Sequence, residues 1–203
     1  LYIANNPNQL GSKHKLARPS DNSRHSDHHA RYHPALLNFW GKLICYDIFL
    51  IYIDTRHIVY SVFKEADYAT SLLTGPYANS NLGKAFQIAR TAKAQSFTYL
   101  IDFSPYAPSY NSPASFIVSP IFEQDKLLGV AAFQMPVGQI NNIMTNNQNW
   151  RNMGLGESGE TYMLGSELTL KNESRFLIED PSGYLTQMKN LGMEQNLLRE
   201  IEK

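Results

Sequence analysis

Three of the six histidines, His25, His29 and His33, stand four residues apart, with Asp27 and His28 between them. On a helix this spacing lines the imidazoles along one face, and imidazole with carboxylate is a donor set for Zn²⁺ and other transition metals. The helical rise separates the first ring from the last by about 12 Å, so only a neighbouring pair could share an ion, and no metal is assigned. A second group lies in "DFSPYAPSYNSPASFIVSPIF", Asp102 to Phe122. Pro105, Pro108 and Pro113 preset backbone dihedrals, Tyr106 and Tyr110 bring large surfaces with polar tips, and Asp102 can accept a charge-assisted bond from an ammonium group. This is the chemistry of a lid over a small ligand. The alternative is a rigid surface loop in which Asp102 caps a neighbouring turn.

A third group, "FKEADYATSLLTGPY" from Phe63 to Tyr77, carries Asp67, Tyr68, Thr70 and Ser71 in a turn after a strand, and Tyr77 after Gly75-Pro76. These polar groups can converge on the mouth of the same pocket, or Thr70 or Ser71 can cap a helix in a hydrated connector. Tyr60, Phe116 and Phe133 are candidates for its floor, with Phe133 expected in the core. Lys64 and Glu65 read as a solvated face. Catalytic patterns are missing from the sequence: it has no Gly-x-Ser-x-Gly elbow, zincin motif, phosphate loop or dinucleotide fingerprint. "GLGESG" (Gly154 to Gly159) has no lysine and reads as a turn, nothing places a substrate between Glu157 and Glu160, and Cys45 sits in an apolar run where thiols are inert. No catalytic residue and no cofactor are assigned.

The elements that position these groups follow from periodicity. Asp21, Asn22 or Ser23 caps a helix in which Tyr32, Ala35, Leu36, Phe39, Trp40 and Leu43 recur at helical spacing, with Pro34 splitting or kinking it. The period then shortens to two over Tyr46 to Asp54 and His57 to Glu65, joined by a tight turn as a hairpin. A helix over Asn79 to Ala94 and strands over Phe97 to Phe103, Ser115 to Glu123 and Leu127 to Val137 follow, then a helix over Gln139 to Thr145. This order predicts an α+β fold, an antiparallel sheet with one face buried under helices and the other left open. Beyond Asn146 to Arg151 a second unit offers a hairpin, Thr161 to Leu164 with Thr169 to Asn172, and a closing helix over Tyr184 to Lys203. Two strands and a helix are too little for an independent core, so this unit is expected to be partial.

The 203 residues suffice for one large domain or one and a part, 43% are hydrophobic, and the formal net charge is zero. A neutral chain with scattered charges lacks the footprint of a nucleic-acid binder. Its one cysteine forms no internal disulfide. The apolar run Leu36 to Ile53 is interrupted by Lys42 and Asp47, each costing about 3 kcal/mol at mid-bilayer, and reads as core.

From about His29 to Phe176 the sequence resembles the double Cache sensor modules found outside the membrane in bacterial chemoreceptors, histidine kinases and nucleotide cyclases. The resemblance is carried by "YDIFLI", "IVYSVFKEADYATSL", "GPYANSNL", "DFSPYAPSYNSPASFIVSPIFEQDKLLGVAAFQMPVGQINNIMT" and "GLGESGETYMLGSELTLKNESRF". It implies a PAS-like sheet with a ligand pocket in the membrane-distal module, transmembrane helices outside this sequence, an extracytoplasmic location and a cytoplasmic output domain. It also places His29 and His33 on the helix before the sheet, where packing and hydrogen bonding are their expected roles. The expected organisation is a helical segment (1–45), the distal module (46–146), and a linker with part of a proximal module (147–203). Asp102, Tyr106, Tyr110, Tyr77, Asp67, Tyr60, Phe116 and Ser71 are the expected ligand-binding residues. The expected partner is a small polar metabolite such as an amino acid, with a homodimer possible, and the competing reading is a ligand-free interaction domain.

Overall fold

The computed structural model describes residues 1–43, 45–165 and 168–201. Contacts divide the chain into two compact units, Leu1–Pro136 and Val137–Lys203.

In the first unit, an irregular segment with a 3₁₀ turn at Lys13–Lys15 leads into α1 (Arg24–Trp40). Ser23 caps α1, its Oγ accepting from the Ser26 amide, and Asp27 in the first turn favours the helix dipole. Pro34 lies inside this single helix, at an exposed position. Strands β1 (Asp47–Tyr52) and β2 (Ile58–Ser61) form the expected hairpin, shorter than its periodic pattern because the chain leaves β2 after Ser61 and turns through Lys64 and Ala69, both at positive φ. Helix α2 (Asn81–Ala89) is capped by Ser80. Then come β3 (Tyr99–Pro105), β4 (Pro113–Glu123) and β5 (Lys126–Met135).

The five strands make one antiparallel sheet in the order β2-β1-β5-β4-β3, a PAS-like α+β arrangement. One face carries Phe49, Ile51, Phe116, Val118, Val130 and Ala132 against Leu82, Ala85, Phe86 and Ala89 of α2. The other is covered too, where Ile48, Tyr60 and Val62 meet Leu36, Leu37 and Trp40 of α1, which corrects the expectation of an open face. Phe133 packs in this second cluster.

Helix α1 also corrects the expected stripe. Tyr32, Ala35 and Phe39 face outward, while Ser26, His29 and His33 are the buried positions. Polar side chains fill a buried stripe when each finds a partner, and these do: Tyr2 donates to Ser26 (3.0 Å), His29 donates to the Ala17 carbonyl, and His33 to the His14 carbonyl (both 2.6 Å).

The second unit holds α3 (Val137–Thr145), a 3₁₀ turn at Arg151–Met153, α4 (Arg175–Glu179), α5 (Pro181–Asn190) and α6 (Gln195–Ile201). The expected hairpin reduces to one bridge between Leu164 and Leu170, its turn residues Ser166 and Glu167 lying outside the described residues. The expected closing helix is two, because Gly192 adopts φ +88° between them, and its last two residues also lie outside the described ones. Arg175 organises this unit. It is 1% exposed, donates to the carbonyls of Gly156 and Gly159 (2.9 Å each), pairs with Glu179 (3.1 Å), and stacks its guanidinium on Trp150. Among the described residues no helix is long and apolar enough to cross a membrane.

Candidate functional site

Two arches rise from the sheet of the first unit, one over residues 62–77 after β2 and one over residues 106–112 between β3 and β4. Asp47, at the start of β1 and wholly buried, anchors the first. Its Oδ1 accepts from the amides of Ile48 (2.7 Å), Val62 (2.8 Å) and Phe63 (3.2 Å), and its Oδ2 from the Ser61 hydroxyl (2.7 Å). Burial pushes this carboxyl up to about 8 against those donors. The second arch is a 3₁₀ turn, Ala107–Ser109, closed by left-handed Tyr110 and by the Tyr106 amide donating to the Ser112 carbonyl (3.2 Å).

Between the arches lies a cavity of about 440 Å³, within the range of small-molecule sites. Phe63, Lys64, Glu65 and Ala66 line it from the first arch, Ala107, Pro108 and Tyr110 from the second, and Tyr46 from the approach to β1. The N-terminal segment supplies a third wall through Ile3, Leu10, Gly11 and Lys13.

Glu65 joins the parts of this wall. Tyr46 donates to its Oε1 (3.0 Å) and Ser109 to its Oε2 (2.9 Å), while Gln134 of β5 donates to Ser109 (3.1 Å). The network spans the first arch, the second arch and the central sheet. Burial raises the Glu65 carboxyl above its ordinary range, and the two hydroxyl donors oppose that rise. Two accepted bonds leave lone pairs on a carboxylate, so Glu65 can take a further donor from a ligand. Lys13 supplies a positive charge to the same cavity.

The expected site residues fall in several places. Tyr110 stands at the cavity lip, 64% exposed. Tyr106 points the other way, into the core: its ring meets Phe116 edge-on at 5.0 Å and its hydroxyl donates to Asp67 Oδ2 at 2.5 Å. Asp67 is buried with it, and its Oδ1 finds no hydrogen bond among the described residues. The pair forms a support beneath the arches rather than part of the cavity lining.

The other expectations need correction on placement. Asp102 sits on the exposed side of edge strand β3, at a break in the ladder with β4; its carboxylate accepts from the Phe103 amide (2.7 Å) and its carbonyl from Asn81 (3.3 Å). Tyr60 is beneath α1, bonded to His33 (2.8 Å), and Phe116 is core. Ser71 receives the amides of Leu73 and Thr74 in a turn, and Tyr77 packs on the core cluster. Lys64, expected on a solvated face, is fully buried; its Nζ donates to the Val62 carbonyl (3.1 Å), and burial lowers it to about 8.

Asp47, Glu65, Ser109, Gln134 and Tyr46 are the residues sequence reasoning missed. For Asp47 a signal existed, since an acid inside the apolar run "YDIFLIY" must be partnered once the run is buried. For the N-terminal wall there was none, because Leu1 to Ser20 has no period. The histidines are engaged in packing and hydrogen bonds, and no group of three or more metal-ligating side chains occurs among the described residues.

No protein-family model matches the chain, and no curated protein matches it. Among solved structures it is similar to the ligand-binding domain of the Pseudomonas aeruginosa PAO1 amino-acid chemoreceptor PctC in complex with GABA, at 13% identity and TM-score 0.48, covering 81% of this chain and 62% of that one. It is similar also to the ligand-binding domain of the Campylobacter jejuni chemoreceptor Tlp3 in complex with 4-methylisoleucine (11%, TM-score 0.47, 77% and 52%). A third is the sensor domain of the Vibrio cholerae histidine kinase DctB (16%, TM-score 0.42, 61% and 41%). The chain thus spans between 41% and 62% of the length of these three. The first unit itself is a five-stranded antiparallel sheet with flanking helices.

Proposed function

We propose that this chain is the ligand-binding part of an extracytoplasmic bacterial sensor, taking a small polar metabolite into the cavity between its two arches. The observation that carries the reading is Glu65, held by Tyr46 and Ser109 at the wall of a cavity whose lining also includes Lys13. A carboxylate and an ammonium in the lining of one small cavity complement a zwitterion, so a free amino acid is the preferred class. Within this reading Tyr110 is the lid group, and the Asp67–Tyr106 pair sets the height of the second arch. The receptor is tethered by membrane segments outside this sequence and signals to a cytoplasmic output domain. Signalling requires the ligand to favour one of two conformations, and a coupling of about 1–3 kcal/mol is enough. Catalysis has no part in the proposal; burial pushes the one thiol, Cys45, up to about 11, away from nucleophilic use.

Isothermal titration at pH 7.5 against amino acids, amines and carboxylates tests the proposal. A binder is expected whose affinity falls at least tenfold in Glu65→Gln, which removes one charge-assisted bond of about 1.5–3 kcal/mol. Absence of any binder in the three classes overturns it. The competing interaction-domain reading draws on exposed Tyr110. Tyr110→Ala separates the two, since a lid loses ligand affinity and leaves self-association unchanged, whereas a docking surface does the reverse.

A further inference from the structure

Residues 1–20 carry no regular element beyond the 3₁₀ turn at Lys13–Lys15, yet they are tied down along their length. Tyr2 is 6% exposed; its hydroxyl donates to Ser26, and its ring lies 4.7 Å from His29 and 5.5 Å from Tyr68. The carbonyls of His14 and Ala17 each meet an imidazole of α1 at 2.6 Å, His33 Nε2 and His29 Nδ1 respectively. A carbonyl only accepts, so those two nitrogens carry the protons. Farther out, Arg18 pairs with Asp27 at 2.7 Å. The same segment is the third wall of the cavity, through Ile3, Leu10, Gly11 and Lys13.

The two imidazoles that hold the segment are ill placed to take a second proton. Their rings stack at 4.5 Å. His33 uses its Nδ1 to accept from Tyr60 (2.8 Å), and His29 Nε2 is buried without a partner among the described residues, so a proton there would meet no acceptor among them. Around them stand Tyr2 and His14 from the N-terminal segment, His25 from α1, Tyr60 from β2, Tyr68 from the first arch, and the buried cation Lys64, with Asp47 beyond it. No carboxylate is hydrogen-bonded to either ring among the described residues.

We propose that residues 1–20 are an acid-released strap over the cavity, with His29 and His33 as its latch. The strap's role as a cover rests on the cavity reading above; its release does not, and is measured without ligand.

Burial, with Lys64 adding to it, pushes both imidazoles down to about 4 from an ordinary 6.5. A histidine lowered in the closed form favours closure fully above pH 6.5, and loses that contribution as pH falls toward 4, because the released form binds the proton first. For rings that return to 6.5 when the segment leaves, each histidine weakens closure about eightfold between pH 7 and pH 5.5, and the two together about sixtyfold, which is the upper limit because Lys64 and Tyr60 stay beside them.

Hydrogen exchange of the intact chain at the two pH values, corrected for intrinsic chemistry, reads this directly. Opening of residues 1–20 is expected to rise by up to about sixtyfold while β4 and β5 keep their protection. In His29→Asn the amide replaces the Nδ1 donor, and in His33→Gln it replaces the Nε2 donor, so the strap stays tied without a titrating ring. Each single variant should show a clearly smaller change than wild type, and the double variant only the part left by His14, whose imidazole is also lowered by burial against Trp40 and Phe63. A wild-type change under threefold overturns the proposal, as does loss of the sheet's protection together with the strap or a change in the double variant as large as that of wild type. A strap that releases in a chain for which titration finds no binder sinks the ligand reading alone.

Discussion

Asp67→Asn is expected to stabilise this protein at neutral pH. Asp67 is fully buried, its Oδ2 accepts from Tyr106 at 2.5 Å, and its Oδ1 has no hydrogen bond among the described residues. Burial is the main cause of its rise from an ordinary 3.8 to about 6, with the Tyr106 hydroxyl opposing and nearby Glu65 adding to it. A carboxyl raised in the folded state contributes its stability below pH 3.8 and loses it as pH climbs through 6. At 1.36 kcal/mol per pH unit, the charged form therefore costs about 3 kcal/mol above pH 7. Asparagine keeps an acceptor for Tyr106 and removes the charge. Urea unfolding of both proteins should show the variant about 3 kcal/mol more stable at pH 7.5, with the gap under about 1 kcal/mol at pH 4. A variant less stable than wild type at pH 7.5, with a gap that does not change with pH, would refute the reasoning: donors to the carboxylate would then outweigh its burial.

Three further outcomes follow from other parts of the molecule. Gly129 faces Tyr52 on the β1–β5 ladder, and a Cβ there would lie 2.4 Å from the Ile51 carbonyl oxygen, so Gly129→Ala should lower unfolding free energy by about 2–3 kcal/mol in a denaturant titration. The Cys45 thiol, raised to about 11 mainly by burial, should alkylate at pH 7.5 roughly a hundredfold more slowly than an unhindered peptide thiol, and a rate within threefold of the peptide would show the thiol to be free. Arg175→Ala strips donors from the carbonyls of Gly156 and Gly159 and should cost about 2–4 kcal/mol, read as faster amide exchange confined to residues 137–201. Exchange that rises equally in the first unit would contradict this.

Much of the fold was legible because period and punctuation are local. The alternation in "YDIFLIY" and "IVYS" acts within a few residues, and the strands appeared within two or three residues of their predicted ends in most cases. The site was legible only as two loops. Sequence reading pointed to the two loops, and structure shows parts of both, Tyr110 among them, lining a cavity; which way the other side chains turn was not in the sequence. Tyr106 and Tyr110 are four residues apart in one loop; the 3₁₀ turn between them sends one into the core and the other to solvent.

What the sequence determined by itself is the α+β class, the strands and helices of the first unit, and the absence of known catalytic motifs, since each follows from residue types at short spacing. Tertiary structure alone decided that Asp47, Lys64 and Asp67 are buried, that α1 turns His29 and His33 inward and Tyr32 and Phe39 out, and that a segment without periodicity lines the cavity. A polar side chain is buried when partners from distant segments meet it, and such partners, Val62 for Asp47, Tyr106 for Asp67, His14 for His33, lie 15 to 39 residues away. Local spacing carries no information on an encounter at that separation; chain folding creates it.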